Sequence, residues 1–292
     1  MKLLIITADD FGLHEAVNRA VEQAVRDGVL TTASLMVGAP AAAEAVRLAR
    51  ELPSLSVGLH LVLADGWSVL PPRSIPALVD AQGRFGNNMV RDGVRFFALP
   101  TVRRQLEAEI RAQFQAFADT GLPLDHVNAH KHFHLHPTLL EMLLRIGGEF
   151  GVPAVRLPRE PAWVARRAGG AIAGPAIAGL LSPWLGLMRR RLETARMAYN
   201  DYVFGMSDSG SMDETRLLEA LGSLPEGVTE IYLHPAVESG AAIAPSMRGY
   251  RHADELAALL SPRVRAALTA SGAQTGGFRQ LTAARTAERH AA

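Results

Sequence analysis

The chain has 292 residues, 48% of them hydrophobic and 20% charged, enough for one large hydrophobic core or two small ones. Thirty Lys and Arg against 29 Asp and Glu leave a formal net charge of +1, so no overall field favours nucleic acid as a partner. Cysteine is absent, which excludes disulfide frameworks, thiolate metal sites and thiol nucleophiles.

The run Lys2-Leu3-Leu4-Ile5-Ile6-Thr7-Ala8 reads as a buried parallel strand that ends in Asp9-Asp10. The apolar stretch ahead of the two aspartates is too short for a secretory leader, which predicts a cytoplasmic protein. Ala16, Val17, Ala20, Val21, Ala24 and Val25 recur at helical spacing, and Gly28 follows as a stop. Residues 31–37 form a second β-prone run, 41–52 a helix, and 55–63 a third strand carrying His60. Residues 64–100, rich in Gly and Pro, read as an irregular insertion. An amphipathic helix is predicted over 102–120, a short strand over 124–129, a helix over 139–150 and a strand over 154–157. A late strand, 229–233, runs into His234-Pro235.

Strands alternating with helices through short connections predict an α/β fold on a parallel sheet, with helices covering the sheet or wrapping a barrel. Ligands in such folds bind beyond the carboxyl ends of the strands. Asp9, Asp10, His60, His130 and His234 all stand at or near such ends, which is the main argument for an enzyme. Adjacent strand residues point to opposite faces, so Asp9 and Asp10 serve one pocket only if the chain turns there. One then ligates a metal while the other stays free as a base; the plainer alternative is that one of them caps the following helix.

Ten histidines occur in the chain, and five lie within eleven residues: His126, His130, His132, His134 and His136. Histidines gather for metal binding or proton transfer. Positions 130, 132, 134 and 136 share a face in an extended strand, whereas 126/130 and 130/134 share one in a helix. Spacing leaves open which of them bind. A mononuclear catalytic site needs three protein ligands and an open position, so some of these rings must support ligands or meet substrate. A lone histidine in an apolar strand, such as His60 or His234, is more often a satisfied core residue; the other strand ends raise its rank. No P-loop, dinucleotide fingerprint or nucleophile elbow is present. Hydrolysis by metal-activated water is the chemistry that remains.

In chain order, Thr7-Ala8-Asp9-Asp10-Phe11-Gly12-Leu13, Gly58-Leu59-His60-Leu61, the run from His126 to Pro137, and His234-Pro235 resemble the YdjC-like carbohydrate deacetylases. Ala33-Ser34-Leu35-Met36-Val37-Gly38-Ala39-Pro40 and residues 127–137 resemble the hopanoid biosynthesis-associated members of that family in particular. The resemblance implies one domain over 1–292, a distorted (β/α) barrel of parallel strands related to polysaccharide deacetylases. It implies a divalent metal on Asp10, His60 and His130, with zinc preferred and magnesium tolerated. It places Asp9 as the catalytic base and His234 as the catalytic acid. Where the family often has Asp-Ser before the metal histidine, this chain has Asn128-Ala129, which removes a carboxylate and a hydroxyl near the site. The implied partner is an acetylated amino sugar, lipid-linked in the hopanoid case. His132, His134 and Arg156 are candidate substrate contacts, with a surface salt bridge the alternative for Arg156. Rival readings are a non-catalytic sugar or lipid binder on the same barrel, a deacetylase of soluble chitooligosaccharides, and a phosphoesterase.

Residues 168–188 contain no charge and are flanked by Arg166-Arg167 and Arg189-Arg190-Arg191. They are long enough to span a bilayer, but Pro175, Pro183 and many Gly and Ala weaken insertion, and a crossing would split the proposed site. The expectation is an apolar helical insertion over about 162–198. Residues 169–188 would lie in the membrane interface with Trp163 and Trp184 at headgroup level, or would form a buried hairpin or a homodimer contact.

Overall fold

A computed structural model of the protein describes residues 1–167, 173–240 and 242–281. The sheet begins with β1 (Lys2–Phe11), β2 (Thr32–Leu35), β3 (Ser56–Leu61) and β4 (Leu124–Ala129). Between these strands run α1 (Glu15–Arg26), α2 (Ala42–Glu51), α3 (Met89–Ala98) and α4 (Pro100–Asp119). After β4 come α5 (Pro137–Glu149), α6 (Ala162–Arg167) and α7 (Ala173–Thr194). The chain returns to the sheet through β5 (Tyr202–Phe204), α8 (Glu214–Gly222) and β6 (Gly227–Leu233). It continues through α9 (His252–Leu260), α10 (Pro262–Ser271) and the two-residue β7 (Gln274–Thr275).

All strand pairings are parallel, in the order β4-β3-β2-β1-β6-β5, with β7 beside the start of β1. From Leu3 onward every residue of β1 is buried, as expected of a central strand covered on both faces. Residues 154–157, expected as a strand, make only single parallel bridges: Val155 to Val127 of β4, and Ala154 to Ala198 just ahead of β5. These bridges cover the free edge of β4 and lead back toward β5, so the sheet curls toward closure. A curled parallel barrel wrapped by helices is the fold that the alternating pattern predicts.

Sequence and structure part company in three places. The insertion expected to be irregular contains α3, which Asn88 caps by accepting from the Arg91 N–H at 3.0 Å. Set among the glycines and prolines of the insertion, its ten residues include Gly93, and this composition masks the helix. That glycine sits so close to His136 that a Cβ would meet the ring at 3.3 Å. The helix-capping alternative for the aspartates is not realised, because His14 caps α1 through its side chain. Residues 168–172 of the apolar segment lie outside the described residues. The later part of α7 turns Leu185, Met188 and Leu192 into the core. Trp184 donates to the Leu135 carbonyl at 2.8 Å, and Trp163 packs edge-on against Phe204. The two tryptophans expected among lipid headgroups are therefore held by the protein itself. Among the described residues no helix is long and apolar enough to cross a membrane.

Candidate metal centre

The parallel register aligns the C-terminal ends of β1, β3, β4 and β6, and these ends deliver the site. Opposite β2, the register of β1 shifts between Ala8 and Phe11, and Asp10 adopts φ 64. That left-handed residue is the turn the sequence left undecided. It breaks strand alternation, so that Asp9 and Asp10 both lie beside His60.

Asp10, His60 and His130 form one compact group of buried residues whose ligand atoms lie within 4.8 Å of one another. Asp10 Oδ1 is 3.3 Å from His60 Nε2 and 3.0 Å from His130 Nδ1, and the two ring nitrogens are 3.4 Å apart. Neither oxygen of Asp10 accepts a geometrically sound hydrogen bond, although the residue is 2% exposed. A buried carboxylate faced by ring nitrogens rather than by aligned N–H or O–H donors is costly unless a cation completes it. Two imidazoles and a carboxylate are also an ordinary donor set for a divalent transition metal. The residues therefore fit a metal ion.

The surroundings fix how the ligands present themselves. His60 Nδ1 lies 2.6 Å from Asn128 Oδ1; an amide oxygen only accepts, so Nδ1 carries a proton and Nε2 is the nitrogen turned to the ion site. The Asn128 amide nitrogen donates to Asp9 Oδ1 at 3.1 Å and to Ser34 Oγ at 2.9 Å. An aspartate there would place a second carboxylate against Asp9, so the departure from the family pattern has a local use. Ser34 continues the chain to His126 Nε2 at 3.0 Å, and His126 Nδ1 to Asp125 at 3.1 Å. Asp125 accepts the backbone N–H groups of Phe278 and Arg279, and Phe278 stacks on the His126 ring. Gly58 lies against this ring so closely that a Cβ would overlap it, 2.3 Å from Cε1.

The histidine cluster is neither strand nor regular helix. Residues His130–Leu135 form a 3-10 turn in which Lys131 and His132 are left-handed, which splays the rings apart. Of the five, only His130 joins Asp10 and His60. His126 is the core relay just described. His132 Nε2 lies 3.0 Å from the Tyr232 hydroxyl. His134 donates through Nε2 to the Arg156 carbonyl at 3.0 Å. Burial, reinforced by the nearby Arg156 charge, pushes the His132 pKa far down. Burial is also the main cause that brings His134 to about 3, so both rings are neutral.

Arg156 corrects both expectations for it. It is 0% exposed, so it neither reaches out to a sugar nor forms a surface ion pair. Its guanidinium donates to Asp9 at 2.6 and 3.0 Å and to Glu230 at 2.7 and 2.6 Å, and lies over the Tyr232 ring. Thr7 adds a 2.7 Å bond to Glu230. Burial alone would raise the Asp9 pKa; Arg156 first, then His60 and His234, hold it far below the usual carboxylate range. Glu230 is a further member of the site, and its mark in the sequence is a carboxylate in the middle of the apolar strand 229–233.

His234, at the end of β6, places Nε2 4.0 Å from Asp10 Oδ2, and its Nδ1 makes no hydrogen bond. Burial lowers its pKa against the pull of Asp10 and Asp9. Its ring packs beside Tyr250, and its carbonyl accepts from His252 Nδ1. A cleft of about 510 Å³ opens along Val237, Ile243, Tyr250 and His252. The expected base, acid and ligands thus meet around one group, with Arg156 behind them.

A curled parallel barrel presents at its strand ends a buried Asp-His-His group that could hold a metal ion. Residues 3–270 match the family described as YdjC-like protein, and the chain belongs to that family. It is 31% identical over 266 residues to a carbohydrate deacetylase of Brevibacillus brevis, covering 90% of this chain and 92% of that one. It is 30% identical over 285 residues to a chitooligosaccharide deacetylase of Serratia marcescens, covering 96% and 99%. Among solved structures, a putative cellobiose-phosphate cleavage protein of Enterococcus faecalis matches with a TM-score of 0.74 and 25% identity, over 96% of this chain and 99% of that one.

Proposed function

We propose that the chain removes the acetyl group from an N-acetylglucosamine-type sugar, and that the physiological substrate is the headgroup of a hopanoid glycolipid. Full-length likeness to named carbohydrate deacetylases makes it a hydrolase of amide bonds in acetylated sugars. The observation that carries the reading is Asp10: buried, without hydrogen bonds, and faced by two imidazole nitrogens. The lipid-linked form rests on the likeness of residues 33–40 and 127–137 to the hopanoid-associated members. The second reading, soluble chitooligosaccharides, rests on the relative from Serratia marcescens.

Asp10, His60 and His130 would hold one divalent cation, zinc before magnesium. When bound, the ion acts as a Lewis acid on the amide carbonyl and makes water a nucleophile near neutral pH. Asp9, kept ionised by Arg156 and for the same reason only weakly basic, acts as the base. Arg156 and Asn128 take three of its roughly four lone-pair directions, leaving one for the proton of the attacking water. His234 acts as the acid, donating from Nε2 to the departing nitrogen; its lowered pKa makes the protonated ring a readier donor. His132, beside Tyr232, is the cluster's candidate for a sugar contact. A phosphoesterase usually uses two metals, and the described residues hold one such ligand group.

The test incubates purified zinc-loaded protein with N-acetylglucosaminyl hopanoid and with N,N′-diacetylchitobiose, and follows loss of one acetyl group by mass spectrometry. Preference for the lipid is expected. Turnover of chitobiose alone would favour the second reading, and release of acetate from neither would reject the activity.

A further inference from the structure

Six large apolar side chains stand exposed among the described residues, and four of them cluster at α3: Val90 at 81%, Val94 at 63%, Phe97 at 68% and Leu99 at 46%. Positions 90, 94 and 97 share one face of a helix. The buried side carries Phe96, which packs on Phe133 and His136, so α3 is held against the turn that supplies His130. Solvent-facing Val and Phe at this spacing are not needed for that packing.

The charges around this face are predominantly positive. From Asp80 to Glu107 the sequence carries Arg84, Arg91, Arg95, Arg103 and Arg104 against Asp80, Asp92 and Glu107; Asp92 is buried between Arg91 and Arg95, and Glu107 pairs with Arg145. Arg84, Arg91 and Arg95 also line an open cleft of about 480 Å³ beside the helix, together with Asp80. Asp80 is engaged at its own turn, where it accepts the backbone N–H groups of Gln82 and Arg84. An apolar helical face bordered by arginines is the pattern of a helix that lies in a membrane interface. A second copy of this face would bring like charges together, whereas an anionic headgroup layer neutralises them.

We propose that α3, with the arginines beside it, docks this protein on an anionic phospholipid surface. Val90, Val94, Phe97 and Leu99 enter the headgroup boundary, and the Arg84–Arg91–Arg95 cleft receives lipid phosphate. Delivery of a lipid-linked sugar to the His130 turn next to α3 rests on the proposed substrate; the docking itself rests on α3 alone.

Flotation with vesicles of phosphatidylcholine, with and without phosphatidylglycerol, tests it. Binding is expected only with phosphatidylglycerol and is expected to weaken as salt is raised. Phe97→Asp/Val94→Asp and, separately, Arg84→Ala/Arg91→Ala should each lower the vesicle-bound fraction by roughly tenfold or more. Hydrolysis of N,N′-diacetylchitobiose should be unchanged in both, which separates failure of docking from failure of the deacetylase reading. No binding by the parent protein to anionic vesicles overturns the proposal, whether or not the variants fold. So does equal binding by parent and variants. Light scattering that shows a dimer broken by Phe97→Asp, without vesicle binding by the parent, would assign the face to a second copy instead.

Discussion

Arg156 grips Asp9 through two hydrogen bonds of 2.6 and 3.0 Å at a place where the arginine is 0% and the aspartate 2% exposed. Glu230 takes the other side of the guanidinium, so one buried arginine is shared by two carboxylates. Removing one partner of such a buried set strands the remaining charges and typically costs about 3–5 kcal/mol. Arg156→Met is therefore expected to lower the urea midpoint strongly and to abolish deacetylation. Adding Glu230→Gln should recover part of the stability and none of the activity, since Asp9 still lacks its anchor. Full activity in the single variant would refute the anchoring role.

Asn128 orients His60 from behind, and such supporting hydrogen bonds are commonly worth about 10–100-fold in metal affinity. Asn128→Ala should weaken zinc binding by about that factor in calorimetric titration while the fold persists. Unchanged affinity would show that packing alone holds the His60 ring.

The ligand and base assignments separate cleanly in two variants. His130→Ala should abolish stoichiometric zinc binding. Asp9→Asn should keep the zinc and lose turnover. Zinc retained in the first, or turnover retained in the second, would move the role elsewhere in the cluster.

Glu255 gives a pH signature. Burial raises its pKa from 4.5 to about 7, against the backbone N–H groups of Met212 and His234 that it accepts. The folded protein therefore holds this proton more tightly than the unfolded chain, and stability falls as pH rises through about 4.5 to 7. A shift of that size corresponds to about 3 kcal/mol. In metal-free protein, the unfolding free energy of the parent minus that of Glu255→Gln should drop by about this amount across the window. A flat difference would show that Glu255 is ionised throughout.

Much of this was legible in the sequence because strand ends and metal ligands leave local marks. The apolar run into Asp9-Asp10 and the strand into His60 name their positions directly. What could not be read depends on backbone turns and distant partners. Asp10 becomes a neighbour of Asp9 in the same pocket only through its left-handed φ. The four later histidines part company only because Lys131 and His132 are left-handed as well. Arg156 looked like a polar residue free to meet sugar because its partners, Asp9 and Glu230, lie 147 and 74 residues away. The helix α3 does carry a polar side, Arg91, Asp92 and Arg95, but its ten residues sit inside a Gly- and Pro-rich stretch whose composition reads as loop.

All three proposed ligands belong to the first 130 residues, yet a fragment of that length would not possess a working centre. The props arrive later: Arg156, then Glu230, then Phe278, whose N–H bonds to Asp125 across 153 positions of chain and whose ring shores up His126. The floor beneath His60 is thus set by a turn near the opposite extremity of the polypeptide. Possession of the ligand motifs is a poor guide to competence in a shortened relative, and the state of the Phe278 turn is the better one.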